Sequence, residues 1–257
     1  MKKKLFTLSC ILLLAGNLLF AQHEHFTTSG TIEYNKTVNM YAIIERGINK
    51  DNDMFARPAF EEFKKNHPQF ETLKSILNFG NDKSLFTPIK SDGPAGGWFS
   101  GPMTGQKNTV YNDFTTNQST TQKDVFEETF LIKDTTRKIK WKITGETRDI
   151  AGYTCRRANG IMMDSIYVVA FYTDKIHVSG GPESFNGLPG MILEVALPHE
   201  NVIWVATKVT DITLPDNALL PPKKGKVVNN AGLKTTLQGV MKNWGDQANT
   251  YLKGFLF

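Results

Sequence analysis

Alternation of apolar and polar positions runs through most of the chain and predicts strands. Thr31 to Tyr41 (TIEYNKTVNMY) puts Ile32, Tyr34, Val38 and Met40 on one parity, so the segment reads as a half-buried strand whose apolar stripe is interrupted by Lys36. Arg57 to His67 instead carries Phe60 and Phe63 on helical spacing, with Pro58 suited to a first helical turn and Pro68 ending it. Leu73–Phe79 and Ser84–Phe86 flank Gly80–Lys83, a hairpin signal because Gly80 and Asn81 tolerate positive φ. Thr109–Phe114 and Asp124–Ile132 predict two more strands, with Asn112 to Gln122 as a polar turn region and Lys133–Arg137 as another turn. Ile139, Trp141 and Ile143 alternate with Lys138, Lys140 and Lys142, which predicts a strand with one apolar and one basic face. Gly145–Ala151 turns the chain into a strand at Tyr153–Ala158, Asn159-Gly160 turns it again, and Ser165–Thr173 runs back.

The densest glycines and prolines lie in Tyr172–Leu197, YTDKIHVSGGPESFNGLPGMILEVAL. Gly180 and Gly181 admit backbone angles closed to other residues, and Pro182 then fixes φ. Leu188-Pro189-Gly190-Met191 suits a type II turn, with Pro second and Gly third, and Gly187 belongs to the same corner. Met191–Leu197 is apolar on both faces and pairs, across a turn at Pro198–Asn201, with Val202–Val209. A phosphate-binding loop is excluded as the reading of this corner: it leads into a strand, and no Gly-Lys-Ser/Thr follows. After a connector at Pro215–Lys226, Leu233, Leu237, Val240, Trp244, Ala248 and Tyr251 make a stripe that predicts one long helix over Ala231–Lys253, docked on the sheet. The ending Gly254–Phe257 is apolar and is expected to tuck into the same groove.

GPESFNGLPGMILEV resembles the signature of the GLPGLI family, with Met191 where the name has Leu. Trp141-Lys142-Ile143, Gly152–Ala158 and Phe171–Ile176 are similar to three further motifs of that family, in proper order, so the resemblance covers roughly residues 70–215. It implies an exported protein of Bacteroidetes type and implies no particular activity.

Residues 1–21 change the picture of charge. Lys2–Lys4, the apolar run Leu5–Phe20 and small Ala21 read as a cleaved secretory signal, leaving residues 22–257 as one β-rich domain. The formal net charge of +5 loses three lysines and no acids with that segment, so the remainder is +2 and has no basic face for nucleic acid. Cys155 then stands alone, which leaves no intrachain disulfide; it reads as a buried structural thiol, with Arg156 facing away from it along the strand. His23, Glu24 and His25 form a short cluster without a distant partner, and no metal or cofactor is expected.

The expected fold is mainly β: nine to eleven strands in a strongly curved antiparallel sheet or half-open barrel, with a long C-terminal helix over its apolar face. A Gly/Pro-rich loop at 92–108 without regular structure carries Trp98 and Phe99, which either fold back on the core or line a ligand mouth. No catalytic constellation is visible, so the expectation is a non-enzymatic binding or accessory protein of the periplasm or the periplasmic face of the outer membrane. Its ligand-binding residues would be Trp98, Phe99, Tyr172, His177, Phe185 and Leu188, with Gly180, Gly181, Pro182, Gly187, Pro189 and Gly190 as structural turns. The partner would be an apolar or lipid-like ligand or an outer-membrane protein. The alternative is a hydrolase or transferase using His177 with Glu183 or Asp174.

Overall fold

The computed structural model describes residues 26–90, 101–105, 107–215, 217–245 and 247–257. The signal segment, the His23–His25 cluster, Trp98 and Phe99 lie outside the described residues. The strands, in chain order, are β1 (Ser29–Asn39), β2 (Phe70–Gly80), β3 (Lys83–Pro88), β4 (Asn108–Asp113), β5 (Gln118–Val125), β6 (Glu128–Thr135), β7 (Lys140–Ile150), β8 (Tyr153–Met162), β9 (Ile166–Thr173), β10 (Met191–Leu197), β11 (Val202–Asp211) and β12 (Lys226–Val228). Helices α1 (Met40–Gly47) and α2 (Asp53–Asn66) follow β1, a single turn α3 (Pro102–Gly105) precedes β4, and α4 (Asn230–Val240) and α5 (Gln247–Leu256) follow β12.

All of these strands join one sheet in the order β12-β6-β5-β4-β3-β2-β1-β11-β10-β9-β8-β7. Two meanders, β2 to β6 and β7 to β11, meet at β1, which pairs with β2 on one side and β11 on the other. The strands β6 and β7, neighbours in the chain, therefore stand toward opposite ends of the sheet. The sheet is mixed, because β12 joins β6 in parallel, and it is not closed into a barrel, since β12 and β7 are unpaired ends.

Several local expectations change for identifiable reasons. The hairpin β2–β3 turns on Asn81 and Asp82, both at positive φ, while Gly80 stays in the ladder opposite Lys83. The segment read as a polar turn contains the first five residues of β5, a strand with few apolar residues whose half-buried middle is Ser119 to Gln122. Asn159-Gly160 lies inside β8, and the turn comes at Met163-Asp164, both at positive φ. Gly160 is there for space: a Cβ would come within 2.9 Å of the Trp141 ring. Similarly, β7 runs through Gly145 to Ile150 with an irregularity between Ile143 and Thr147, and as an edge strand it leaves even Ile143 exposed. Pro58 sits in the interior of α2, which starts earlier than the apolar spacing indicated.

The expected long C-terminal helix is two helices. Met241 ends α4 with its N–H bonded to the Leu237 carbonyl, and Gly245 at φ +58 reverses the direction before α5. Leu233, Leu237 and Met241 pack with Val125, Phe130, Ile132 and Phe255 into a cluster beside the main core. The main core spans β1 to β4 and β8 to β11, and Phe257 enters it, stacking on Trp204 at 5.6 Å.

Candidate functional site

The loop between β9 and β10 folds back on the sheet through its own backbone. Gly180 N–H bonds the Val178 carbonyl, Ile192 N–H the Gly180 carbonyl, and Ser179 Oγ donates to the Leu188 carbonyl at 2.7 Å. Neither Gly180 nor Gly181 takes positive φ; Gly181 is needed because a Cβ would lie 2.9 Å from Ile192 Cβ. The Leu188–Gly190 corner is tighter than a type II turn, with Gly190 N–H bonded to the Leu188 carbonyl across Pro189. Gly190 still needs its φ of +136, and a Cβ there would be 2.1 Å from the Thr173 carbonyl oxygen.

This folding delivers Glu183 to the interior. Phe185 N–H bonds the Pro182 carbonyl, and Glu183 occupies the turn at φ +51, a left-handed conformation that costs a glutamate about 1–2 kcal/mol. Its side chain is buried and accepts a 3.0 Å bond from Asn108 Nδ2. Around it stand three cations. Lys36 of β1 is buried on the same face as Tyr34 and Val38, lies across the ladder from Trp204, and donates to the Met103 carbonyl at 3.0 Å. Lys123 of β5, paired with Asn108, is buried and donates to the Phe255 carbonyl at 2.6 Å. Arg137, in the connection from β6 to β7, bonds Ser184 Oγ at 2.8 Å and the carbonyls of Leu256 and Phe257 at 2.9 and 3.1 Å. Lys123 and Arg137 thus cap the C-terminal end of α5, where carbonyls lack helical partners and the helix dipole favours positive charge.

Burial dominates the electrostatics of this group. It raises the Glu183 carboxyl above its ordinary range, against the pull of Lys36, Asn108, Lys123 and Arg137. It lowers Lys36, which Glu183 and Glu71 partly restore. It pushes Lys123 down to about 7, with Glu183 opposing the shift and Arg137 and Lys36 adding to it. Such a concentration of perturbed groups is a mark of functional sites as well as of structural networks.

Two openings reach this seam from different sides. A cleft of about 310 Å³ between β5, β6 and the Ser184 corner is walled by the hydroxyls of Ser119, Thr121, Thr135, Thr136 and Ser184, with Arg137, Lys138, Asp134 and Asn230. A smaller cavity of about 20 Å³ is lined by Lys36, Ser75, Glu183 and Trp204, with Leu73, Phe86, Pro88 and Ile89 beside them and Lys74 and Lys107 among its lining residues.

Of the residues expected to bind a ligand, the four that are described fall elsewhere. Tyr172, Phe185 and Leu188 are packed in the main core at 1%, 0% and 1% exposure and line neither opening, because the loop that carries them folds inward. His177 is exposed and sits with its ring 4.6 Å from Phe26; Asp174 is exposed too, while Glu183 keeps to Asn108 and the cations. The structure brings Pro182, Glu183 and Ser184 to the seam and leaves His177 outside it. Sequence reading missed Lys123, which falls between the segment read as a polar turn and the strand read from Asp124, and Arg137, which lies in a segment read as a turn. Lys36 had a signal, a cation on the parity of an apolar stripe.

A family described as "Protein of unknown function (Porph_ging)" matches residues 159–194, a span that holds β9, the Glu183 turn and the start of β10. No curated protein matches the chain. Among solved structures, the chain is similar to PNGF-II in two crystal forms, at 19% and 17% identity and TM-scores of 0.50 and 0.51, over 81% and 80% of this chain. An uncharacterized conserved protein from Thermus thermophilus aligns over 84% of this chain and 98% of its own, at 8% identity and a TM-score of 0.38. The likeness to PNGF-II is one of fold, and the chain spans about a third of the length of the PNGF-II chains it matches, 33% and 32% of each.

Proposed function

We propose that this is an exported, envelope-associated binding protein of the GLPGLI type without bond-breaking chemistry of its own, and that it holds a small oxygen-rich ligand in the cleft beside Arg137. The observation that carries the reading is the cleft: its volume of about 310 Å³ suits a small molecule, and five hydroxyl residues, Asn230 and the cations Arg137 and Lys138 line it beside Asp134 and Ile132. Arg137 is already held by Ser184 and the main-chain oxygens of Leu256 and Phe257, so it is preorganised and loses little freedom on binding. Tyr172, Phe185 and Leu188, three of the residues expected to hold a lipid-like ligand, are packed in the core, which favours a polar ligand over an apolar one there. In this reading the sheet bends around the seam, because Glu183 interacts with Lys36 and Lys123 from strands four steps apart, about 19 Å on a flat sheet.

The test is calorimetry with gluconate, glucuronate and laurate against the wild type, Thr121→Trp, which fills the cleft, and Lys138→Glu at its exposed rim. Saturable binding of a hydroxylated acid, lost in Thr121→Trp and weakened in Lys138→Glu, is the expected result. Binding of laurate alone, unaffected by either substitution, overturns it. Mass spectrometry of protein from the native envelope checks export, with a mature chain beginning at Gln22 expected.

A further inference from the structure

The smaller cavity is distinct from the cleft and has its own chemistry. Two buried side-chain atoms of residues on its wall, Trp204 Nε1 and Ser75 Oγ, have no hydrogen-bond partner among the described residues. An unpartnered buried donor is costly, and the indole N–H can only donate, so whatever satisfies Trp204 must be an acceptor. The same wall carries Lys36, whose ammonium lies 5.0 Å from the centre of the Trp204 ring; Lys74 and Lys107, both exposed, are two further cations of the lining. The space of about 20 Å³ admits a compact group of one water's size or slightly more. Leu73, Phe86, Pro88 and Ile89 supply apolar wall around it.

We propose that the cavity between Lys36, Ser75 and Trp204 is a binding site for a compact anion, either a free halide or the carboxylate end of a short amphipathic acid. Lys36, Ser75 and Trp204 supply the donors; the space takes only the halide or the carboxylate head, and any chain behind the head extends out past the apolar wall. Glu183 is the one acid among the described lining residues, and Glu71 acts on Lys36 as well. Against them stand Lys36, Lys74 and Lys107 of the described lining, three cations to two acids, so the site gains from an added anion. A trapped water would satisfy the two orphaned donors without relieving that excess, and this is the difference an experiment can read.

The experiment is thermal unfolding of the whole chain at constant ionic strength, titrating sodium bromide, acetate or hexanoate against a methanesulfonate background, in the wild type, Trp204→Phe and Lys36→Met. The expected result is a saturable rise in Tm in the wild type, weakened about tenfold or more in concentration by loss of the Trp204 donor. Tighter binding of hexanoate than of acetate identifies the amphipathic acid; equal binding with bromide identifies a free anion. If Lys36→Met does not fold, Trp204→Phe carries the comparison alone, because it keeps an aromatic ring in place. A non-saturating rise, or the same titration curve in the wild type and Trp204→Phe, overturns the proposal. So does bromide-soaked crystal density showing only water beside Trp204 Nε1. Thr121→Trp, which blocks the cleft, leaves this titration unchanged, so loss of the cleft reading does not touch it.

Discussion

Gly190 is the residue on which the β9–β10 corner turns. Its φ of +136 suits only glycine, and a Cβ would overlap the Thr173 carbonyl. Gly190→Ala should lower stability by about 3 kcal/mol or more in urea denaturation. Gly239, in α4 with open space around it, is the control: Gly239→Ala should stabilise by about 0.5–1 kcal/mol. Equal midpoints for the two variants would refute the assignment of the corner. Cys155 behaves as the strand reading indicated. It is buried, donates weakly to its neighbour Tyr153's carbonyl, and its pKa is pushed up to about 12 by burial, with Asp149 and Glu194 adding. The thiolate is the reactive form, so Ellman's reagent should label the native protein only as fast as it unfolds. Rapid labelling at neutral pH would contradict this. Glycine and cysteine were legible from sequence because their demands are local: one backbone angle, one burial state.

At the scale of elements, legibility followed apolar periodicity. The hairpin β10–β11 and the stripe of β1 were plain because their inward positions are apolar. Strand β5 was hidden because its residues are polar, and their burial comes from neighbours rather than from their own character. The break between α4 and α5 was hidden because the apolar spacing continues across it, while Gly245 lets the chain change direction so that Phe255 and Phe257 enter separate clusters. The second helix is anchored by Glu200, a buried carboxylate in the turn after β10 that pairs with Lys253 of α5 and, at 3.3 Å, with Arg46 of α1. Glu200→Gln should therefore cost about 1–3 kcal/mol, since it leaves two cations without their charge partner. Lys253→Met should cost less in the Glu200→Gln background than in the wild type. Additive effects in this double-mutant cycle would show that the pair is not coupled.

For the whole molecule, the arrangement of two meanders around β1 gathers Lys36, Lys123, Arg137 and Glu183 from four separate parts of the chain. That seam has a pH signature. The folded state holds Lys123 at about 7 against an ordinary 10.5, so between these values the unfolded chain binds more protons, and stability rises with pH. Lys36, lowered in the same direction, adds to the rise. Cys155 acts oppositely, losing stability as the pH climbs from 9 toward 12. Glu183, held above its ordinary range by burial, also acts oppositely as the pH climbs past that range. The window for Lys123 is about pH 7 to 9, where its contribution should add at most about 1.4 kcal/mol per pH unit. Lys123→Met should flatten that slope; an unchanged slope would refute the assignment. The sequence by itself determined the strand-rich class, the glycine-proline corner, the buried thiol and the place of Lys36 in an apolar stripe, because each follows from short-range patterning and backbone sterics. Only the tertiary structure decided the sheet order, the split helix and the buried cations around Glu183. Those depend on which distant strands become neighbours, and burial of a polar residue is set by the partners that surround it, not by its position in the chain.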